Sequence, residues 1–383
     1  MAWKKRRIGD SSCYLADMKT RLQLASFLQK LLSLPTAPFH ERFVTAFLCE
    51  TLEKAAIEFR LDEFGNIIAG SVQGDYPVAF VAHMDHPGFE IVEAGKEKAV
   101  AGWYGGVDPK YFIGSRVIIY DRESGGVRAR GMVEDIAKNA QGRVERMKLR
   151  VLGPVEAGDF GTWDLLPFRQ RGEMIFTKGA DDLVGCAVIL LALKELKVRG
   201  IEREPGAFFT RAEEQGFVGT LGMIQSRAVS PSTKVVSVET SKALPGVVLG
   251  GGPVIRLGDR TSMFHHEMVT FMDYVAEGLK KKDERFTYQR RVMDGGTCEA
   301  TPYTLGGHIA GGIAVPLHNY HNQGKSRIGP EGVHLRDVEG AVKLLVAMIT
   351  RIDEFAGPVK RVLERFESTW QKYGTRLQIK PKG

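Results

Sequence analysis

Apolar and polar positions alternate in two textures along the chain. Over residues 19–57 apolar residues recur at helical spacing, as in "LQLASFLQKLLSL", with a Pro-containing interruption at "SLPTAPFHE". The pattern predicts two helices about a break. "FRLDEFGNIIAGS" reads as two short strands around a turn at Gly65-Asn66. "YPVAFVAH" is a continuous apolar run of strand length, the signature of a central strand buried on both faces. Between residues 90 and 175 the segments turn short and alternating ("KAVAGWYG", "SRVIIYDR", "VRARGMVED", "RMKLRVLG") with Gly, Asp and Pro between them. This predicts a small β-rich unit, a barrel or a sandwich.

Long elements then return. "DDLVGCAVILLALKELKVRG" is a helix with Asp near its start and Gly200 at its end. "GAFFTRAEEQG", "TKVVSVETS" and "HIAGGIAVPLHNYHNQ" read as strands followed by loops, "FVGTLGMIQSRA" as a helix, and "DVEGAVKLLVAMITRIDEFA" as the closing helix. "TSMFHHEM", with His265 and His266, reads as an exposed loop. Strands alternating with helices predict the α/β class: a mixed, mostly parallel sheet covered by helices on both faces. The β-rich block makes the larger domain discontinuous, residues 1–90 plus 175–383, with 91–174 as an inserted β-barrel or sandwich domain.

Composition narrows the class. At 383 residues, 43% hydrophobic and 26% charged, the chain matches soluble globular proteins. Its longest apolar run, "CAVILLAL", falls far short of the roughly 20 residues of a membrane span. "MAWKKRRIGDSS" has no apolar core of a secretory signal, so a cytoplasmic protein without a membrane partner is expected. Cys13, Cys49, Cys186 and Cys298 form no CxxC pair and read as reduced thiols. Of the net charge of +7, Lys4, Lys5, Arg6 and Arg7 supply four units, and no aromatic-rich basic motif accompanies them. No nucleic-acid partner is expected.

In open α/β sheets, sites form at the carboxyl ends of strands. Four predicted strands end there in metal-competent groups: His83 and Asp85; Glu213 and Glu214; Glu239; His318 and His321. "KGADD" brings Asp181 and Asp182 to the start of the apolar helix. Taken singly, the aspartates could cap a helix, the paired glutamates could sit on a solvated turn, and the histidines could be exposed. Together they supply imidazole and carboxylate ligands without a cysteine, a donor set for two divalent ions, zinc first and cobalt or manganese as alternatives. Asp181 is the candidate bridge. One carboxylate is left over to take a proton from water.

The segments "DEFGNIIA", "AHMDHPGF", "WYGGVDPKYFIGSRV", "EAGDFGTWD", "KGADDLVGCAVIL", "AEEQGFVGT", "VSVETS", "GGGPVIR", "DGGT" and "VPLHNYH" follow in this order over residues 20–350. In that order they resemble the tetrahedral aminopeptidases of metallopeptidase family 42, glutamyl and deblocking aminopeptidases of the di-zinc exopeptidase superfamily. The resemblance implies that His83, Asp181 and Glu239 hold one metal, and that Glu214, His321 and the shared Asp181 hold the other. Glu213 would be the general base. Asp85 would orient His83 through its second ring nitrogen. His321, at the family's interval after the proline, is preferred to His318. The inserted domain would build dimer contacts within a homo-oligomer of up to twelve subunits.

The chain departs from that pattern at His86-Pro87, at Asn322-Gln323, at "GGTCEA" and at Glu239, where these aminopeptidases usually carry Asp. The expected activity is an aminopeptidase acting on short peptides. The alternatives are an amidohydrolase or carboxypeptidase acting on N-acyl amino acids or dipeptides, and a non-catalytic assembly protein that keeps the fold.

Overall fold

The computed structural model describes residues 11–70 and 76–377, with side chains from residue 21 onward. The basic Lys4–Arg7 stretch and the Cys13 side chain lie outside the described residues.

The chain opens with helices α1 (Ser11–Leu32) and α2 (Arg42–Lys54), on either side of the Pro-containing break, and continues with β1 (Phe59–Leu61), β2 (Ile67–Ala69) and β3 (Val78–His83). Six antiparallel strands follow: β4 (Gly88–Ala94), β5 (Lys98–Tyr104), β6 (Arg116–Tyr120), β7 (Val127–Lys138), β8 (Val144–Leu152) and β9 (Phe160–Trp163). They close into a barrel in the order β4-β5-β8-β7-β6-β9. The alternating pattern read in the sequence is the barrel's inside-outside period. Its interior is packed around Phe89, Trp103, Phe112, Leu149 and Trp163, with the Trp103 and Trp163 rings 4.8 Å apart.

Beyond the barrel, a hairpin of β10 (Phe168–Arg171) and β11 (Met174–Thr177) leads into α3 (Leu183–Val198), β12 (Gly206–Thr210), α4 (Val218–Gln225), β13 (Lys234–Lys242), β14 (Val254–Asp259), α5 (His266–Lys282), β15 (Gln289–Met293), α6 (Ala300–Leu305), β16 (Ala310–Leu317), β17 (Glu331–His334), α7 (Leu335–Thr350) and α8 (Gly357–Tyr373). The hairpin pairs with β17, not with the barrel.

Eight strands form the main sheet, ordered β1-β2-β12-β3-β13-β16-β14-β15. Its centre, β12-β3-β13-β16, is parallel. β3 is buried at all six positions because both faces are covered. Val78, Phe80 and Ala82 join the larger core under α1, α2, α3, α5 and α7, while Ala79 and Val81 pack with Phe208, Met223 and Tyr303 on the other side.

Two expectations fail. "TSMFHHEM" is not a loop throughout, because α5 starts at His266. Met268, Phe271, Met272, Val275 and Ala276 make its buried stripe, and they anchor it on α7. The helix read as closing the chain is followed by α8, whose residues 360–373 are exposed on every side.

Candidate metal centre

The site stands where the parallel strands end. In register, Thr210 pairs with His83, and Val81 pairs with Ser237. Two residues further along each strand, His83 and Glu239 therefore stand at one level. Glu213 and Glu214 follow β12, and His321 follows β16. Asp181 and Asp182 enter from the start of α3. The sheet thus gathers five chain segments, two strand ends, two post-strand turns and one helix start, at its carboxyl edge.

Asp181 lies between the histidines. His83 Nε2 is 3.5 Å from its Oδ1 and His321 Nε2 is 3.5 Å from its Oδ2. His83 Nε2 is also 3.4 Å from Glu239 Oε1 and 3.8 Å from Glu213 Oε2, and His321 Nε2 is 2.9 Å from Glu214 Oε1. His83, Asp181 and His321 are each under 5% exposed. His318 is exposed, and its backbone pairs with Gly332. The structure thus brings together His83, Asp181, Glu213, Glu214, Glu239 and His321, and leaves His318 out.

Both ring orientations are fixed from behind. Nδ1–H of His83 donates to the Asp85 carbonyl (3.1 Å) and Nδ1–H of His321 to the Gly106 carbonyl (2.8 Å), so each Nε2 faces inward. The Asp85 carboxylate is 3.5 Å from His83 Nδ1. Its shorter contacts are the backbone N–H groups of Glu213 and Glu214, which donate to its two oxygens at 3.0 Å each. Asp85 therefore grips the glutamate turn as well as the imidazole.

That turn is entered through Ala212 in the left-handed region (φ 49°), an unfavourable conformation for alanine. Buried Glu41 secures it, accepting from the Ala212 N–H (2.9 Å) and from Arg211 Nε (2.8 Å). Glu331 likewise accepts from the N–H groups of Ala180 (2.6 Å) and Asp181 (3.1 Å). Sequence reading missed Glu41, Gly106 and Glu331. The one signal for Glu41 was an acid beside the proline-rich break.

His86 and Asn322, two of the departures from the family pattern, are one contact. His86 Nε2 lies 3.0 Å from Asn322 Oδ1, while its Nδ1–H donates to the Asp181 carbonyl (2.6 Å). Asn322 in turn donates to the Lys178 carbonyl (2.9 Å).

The electrostatics ask for cations. Asp181, Asp182, Glu213, Glu214 and Glu239 crowd two imidazoles in a buried space. Burial raises the carboxyls of Asp182, Glu213 and Glu239 above their ordinary values. Burial also acts to raise Asp181, but the His321 and His83 imidazoles beside it outweigh that and hold the carboxyl low. Burial disfavours charged imidazoles, yet the surrounding carboxylates raise both His83 and His321.

Asp181 Oδ1 and Asp182 Oδ2 are buried without a hydrogen-bond partner, a cost that a bound cation would remove. Asp182 caps α3 at the Gly185 N–H (3.2 Å) and accepts from Thr240 (2.9 Å). Ligand atoms of His83, Asp182 and Glu239 form one cluster within 4.8 Å of one another, and those of Asp181, Glu214 and His321 form another. Imidazole and carboxylate donors in two adjoining clusters fit a pair of borderline divalent ions.

Comparison with known proteins bears on the fold and the family. Among curated proteins, the chain is 25% identical to one named "Putative aminopeptidase" from Acetivibrio thermocellus, over 84% of this chain and 97% of that one. Among solved structures, an aminopeptidase from the archaeon Desulfurococcus kamchatkensis aligns at 23% identity and TM-score 0.71, covering 88% of this chain and 98% of that one. The Pyrococcus horikoshii TET1 peptidase, which can assemble into a tetrahedron or a large octahedral shell, aligns at 22% identity and TM-score 0.71, covering 85% and 99%. At these identities the solved structures establish the fold. The sequence profile described as M42 glutamyl aminopeptidase matches residues 65–344, and the chain belongs to that family of peptidases.

Proposed function

We propose that the protein is a metal-dependent aminopeptidase that removes N-terminal residues from short peptides. The observation that carries this reading is Asp181, with one carboxylate oxygen 3.5 Å from each inward-facing Nε2. In this reading His83, Asp181 and Glu239 hold one ion and Asp181, Glu214 and His321 the other, with Asp182 held back by its cap and by Thr240. Zinc suits the donors, as cobalt or manganese would. Two such ions would supply Lewis acidity for the scissile carbonyl and a more acidic water.

Glu213 does the proton work. Its carboxylate reaches the same space without being needed as a ligand, and Asp85 fixes its backbone. It takes the proton as water attacks and returns it to the leaving amine. The inserted domain, residues 91–174, is proposed to pair subunits of a homo-oligomer in the cytoplasm.

The test is Glu213→Gln. It is expected to keep two metal equivalents and lose at least 100-fold in kcat, in line with the usual worth of a general base. Full activity would remove Glu213 from the role. Less than one metal per chain, with no peptidase activity in added zinc, cobalt or manganese, would favour a non-catalytic protein. Glu239 supports a second reading, an amidohydrolase or carboxypeptidase. Aminoacyl-p-nitroanilides run against N-acetyl amino acids and dipeptides separate the two.

A further inference from the structure

Among the described residues, the C-terminal helix α8 meets the rest of its chain mainly at its base, on α5. Every residue from 360 to 373 is exposed, although a 17-residue helix gains most of its stability from packing one face. The exposure is not that of a polar helix. Leu363, Phe366, Trp370 and Tyr373 are 61%, 59%, 63% and 46% exposed, and Leu377 in the next turn is 77% exposed. These five residues follow intervals of three, four, three and four. That is the a/d spacing of a heptad, a stripe about 100° wide that marks a helix-to-helix seam. The helix lies beyond residue 344, where the family match ends.

We propose that α8 is a docking surface for α8 of a second copy of this chain, the two helices packing seam to seam. This inference does not depend on the peptidase reading. Three observations select the occupant. The first is the boundary of the stripe: a lipid-surface helix has cations on both flanks, whereas here Glu367 stands beside Lys360 on one flank and only the other, with Arg365 and Lys372, is basic. The second is charge. The chain has another apolar surface, a groove of about 1320 Å³ between α1, α3, α5 and α7, but Lys194, Lys343 and four other basic side chains line it against two glutamates. At a net +2 itself, from four basic and two acidic residues, α8 is repelled less by a second copy of itself than by that groove, whose lining carries a net +4. The third is area. Three aromatics and two leucines at these exposures present on the order of 600 Å² per chain, so a symmetric pair would bury about 1,200 Å², the lower bound of a specific interface. Arg361, stacked 4.6 Å over Tyr274 of α5, holds the base of the helix on the body while the seam faces outward.

The experiment compares the full-length protein with the double variant Phe366→Glu, Trp370→Glu by sedimentation velocity at micromolar concentration. The wild type is expected to sediment at twice the mass of the variant or more, with peptidase activity and metal content the same in both. Equal masses would overturn the proposal. A photoreactive benzoylphenylalanine placed at position 366 supplies a second readout, in which a covalent product of two chains supports the pairing. A cross-link confined to one chain, or wild-type protein pelleting with phosphatidylserine vesicles while the double variant does not, would overturn it.

Discussion

Single residues decide whether the glutamate turn can work. Asp85 accepts two backbone N–H groups with its carboxylate and an imidazole N–H with its carbonyl. Asp85→Asn keeps the shape but aims an amide N–H₂ at one of those donors. A kcat 10- to 100-fold lower with both metals still bound is expected, the usual range for a residue that supports a ligand; unchanged kinetics would reduce Asp85 to a structural residue. Deeper in the core, Glu299 accepts from the Thr210 and Thr220 hydroxyls, and burial pushes its carboxyl up to about 7. Between its ordinary 4.5 and 7 the folded protein holds a proton that the unfolded chain releases, so this group's contribution falls as pH rises through that window. Glu299→Gln cannot titrate. Its stability relative to wild type should improve by about 3 kcal/mol from pH 4 to pH 8, measured by denaturant unfolding; a constant difference would mean that Glu299 is already ionised. The candidate ligands could be picked out because metal chemistry needs particular side chains at strand ends. Glu41, Glu331 and Gly106 were not, because their partners lie 171, 150 and 215 positions away and leave no local period.

At the scale of elements, the centre depends on how closely α3 meets β13. A Cβ on Gly185 would fall well inside contact distance of the Asp182 carboxylate and the Val238 carbonyl. Only glycine allows the helix to start there with Asp182 as its cap and Asp181 between the histidines. Gly185→Ala should push α3 off the strand, at about 1–3 kcal/mol of stability, and displace Asp181 with it. Titration calorimetry with zinc is expected to show weakened or lost binding in a folded protein; tight binding of two equivalents would mean that the junction yields without moving the aspartate. Most elements here were readable, because β3, α3 and α7 are long apolar runs of one period. The strand order was not. β12 slots between β2, antiparallel, and β3, parallel, from more than a hundred residues away, and pairing at that range carries no turn signal. α5 was passed over because its two leading histidines drew the eye from the Met268–Ala276 stripe behind them, and α8 because a stripe with nothing to pack on looks the same in sequence as a solvated tail.

At the scale of the whole molecule, the candidate centre joins parts that are far apart in the chain. His83 precedes the barrel, the other candidate ligands follow it, and His321 leans on Gly106 just beyond a barrel strand. Metal occupancy should therefore stabilise the seam between sheet and barrel as well as the site. Without cations, five carboxylates and two imidazoles share a buried space, and each ionised oxygen lacking a partner is costly. An ion present at about a thousand times its dissociation constant adds roughly 4 kcal/mol to the folded state per site. Treatment with a chelator is thus expected to lower the melting temperature by several degrees and to raise amide hydrogen exchange around residues 104–108 together with 319–323, with both reversed by added zinc. A melting curve unmoved by chelation in a sample shown to have lost its metal would mean that the carboxylates neutralise themselves by taking up protons, as the raised carboxyls of Asp182, Glu213 and Glu239 permit. The link between barrel and sheet would then rest on direct contacts such as the hydrogen bonds from His321 to Gly106, from Tyr111 to Gly324 and from the Asp108 N–H to Gln323.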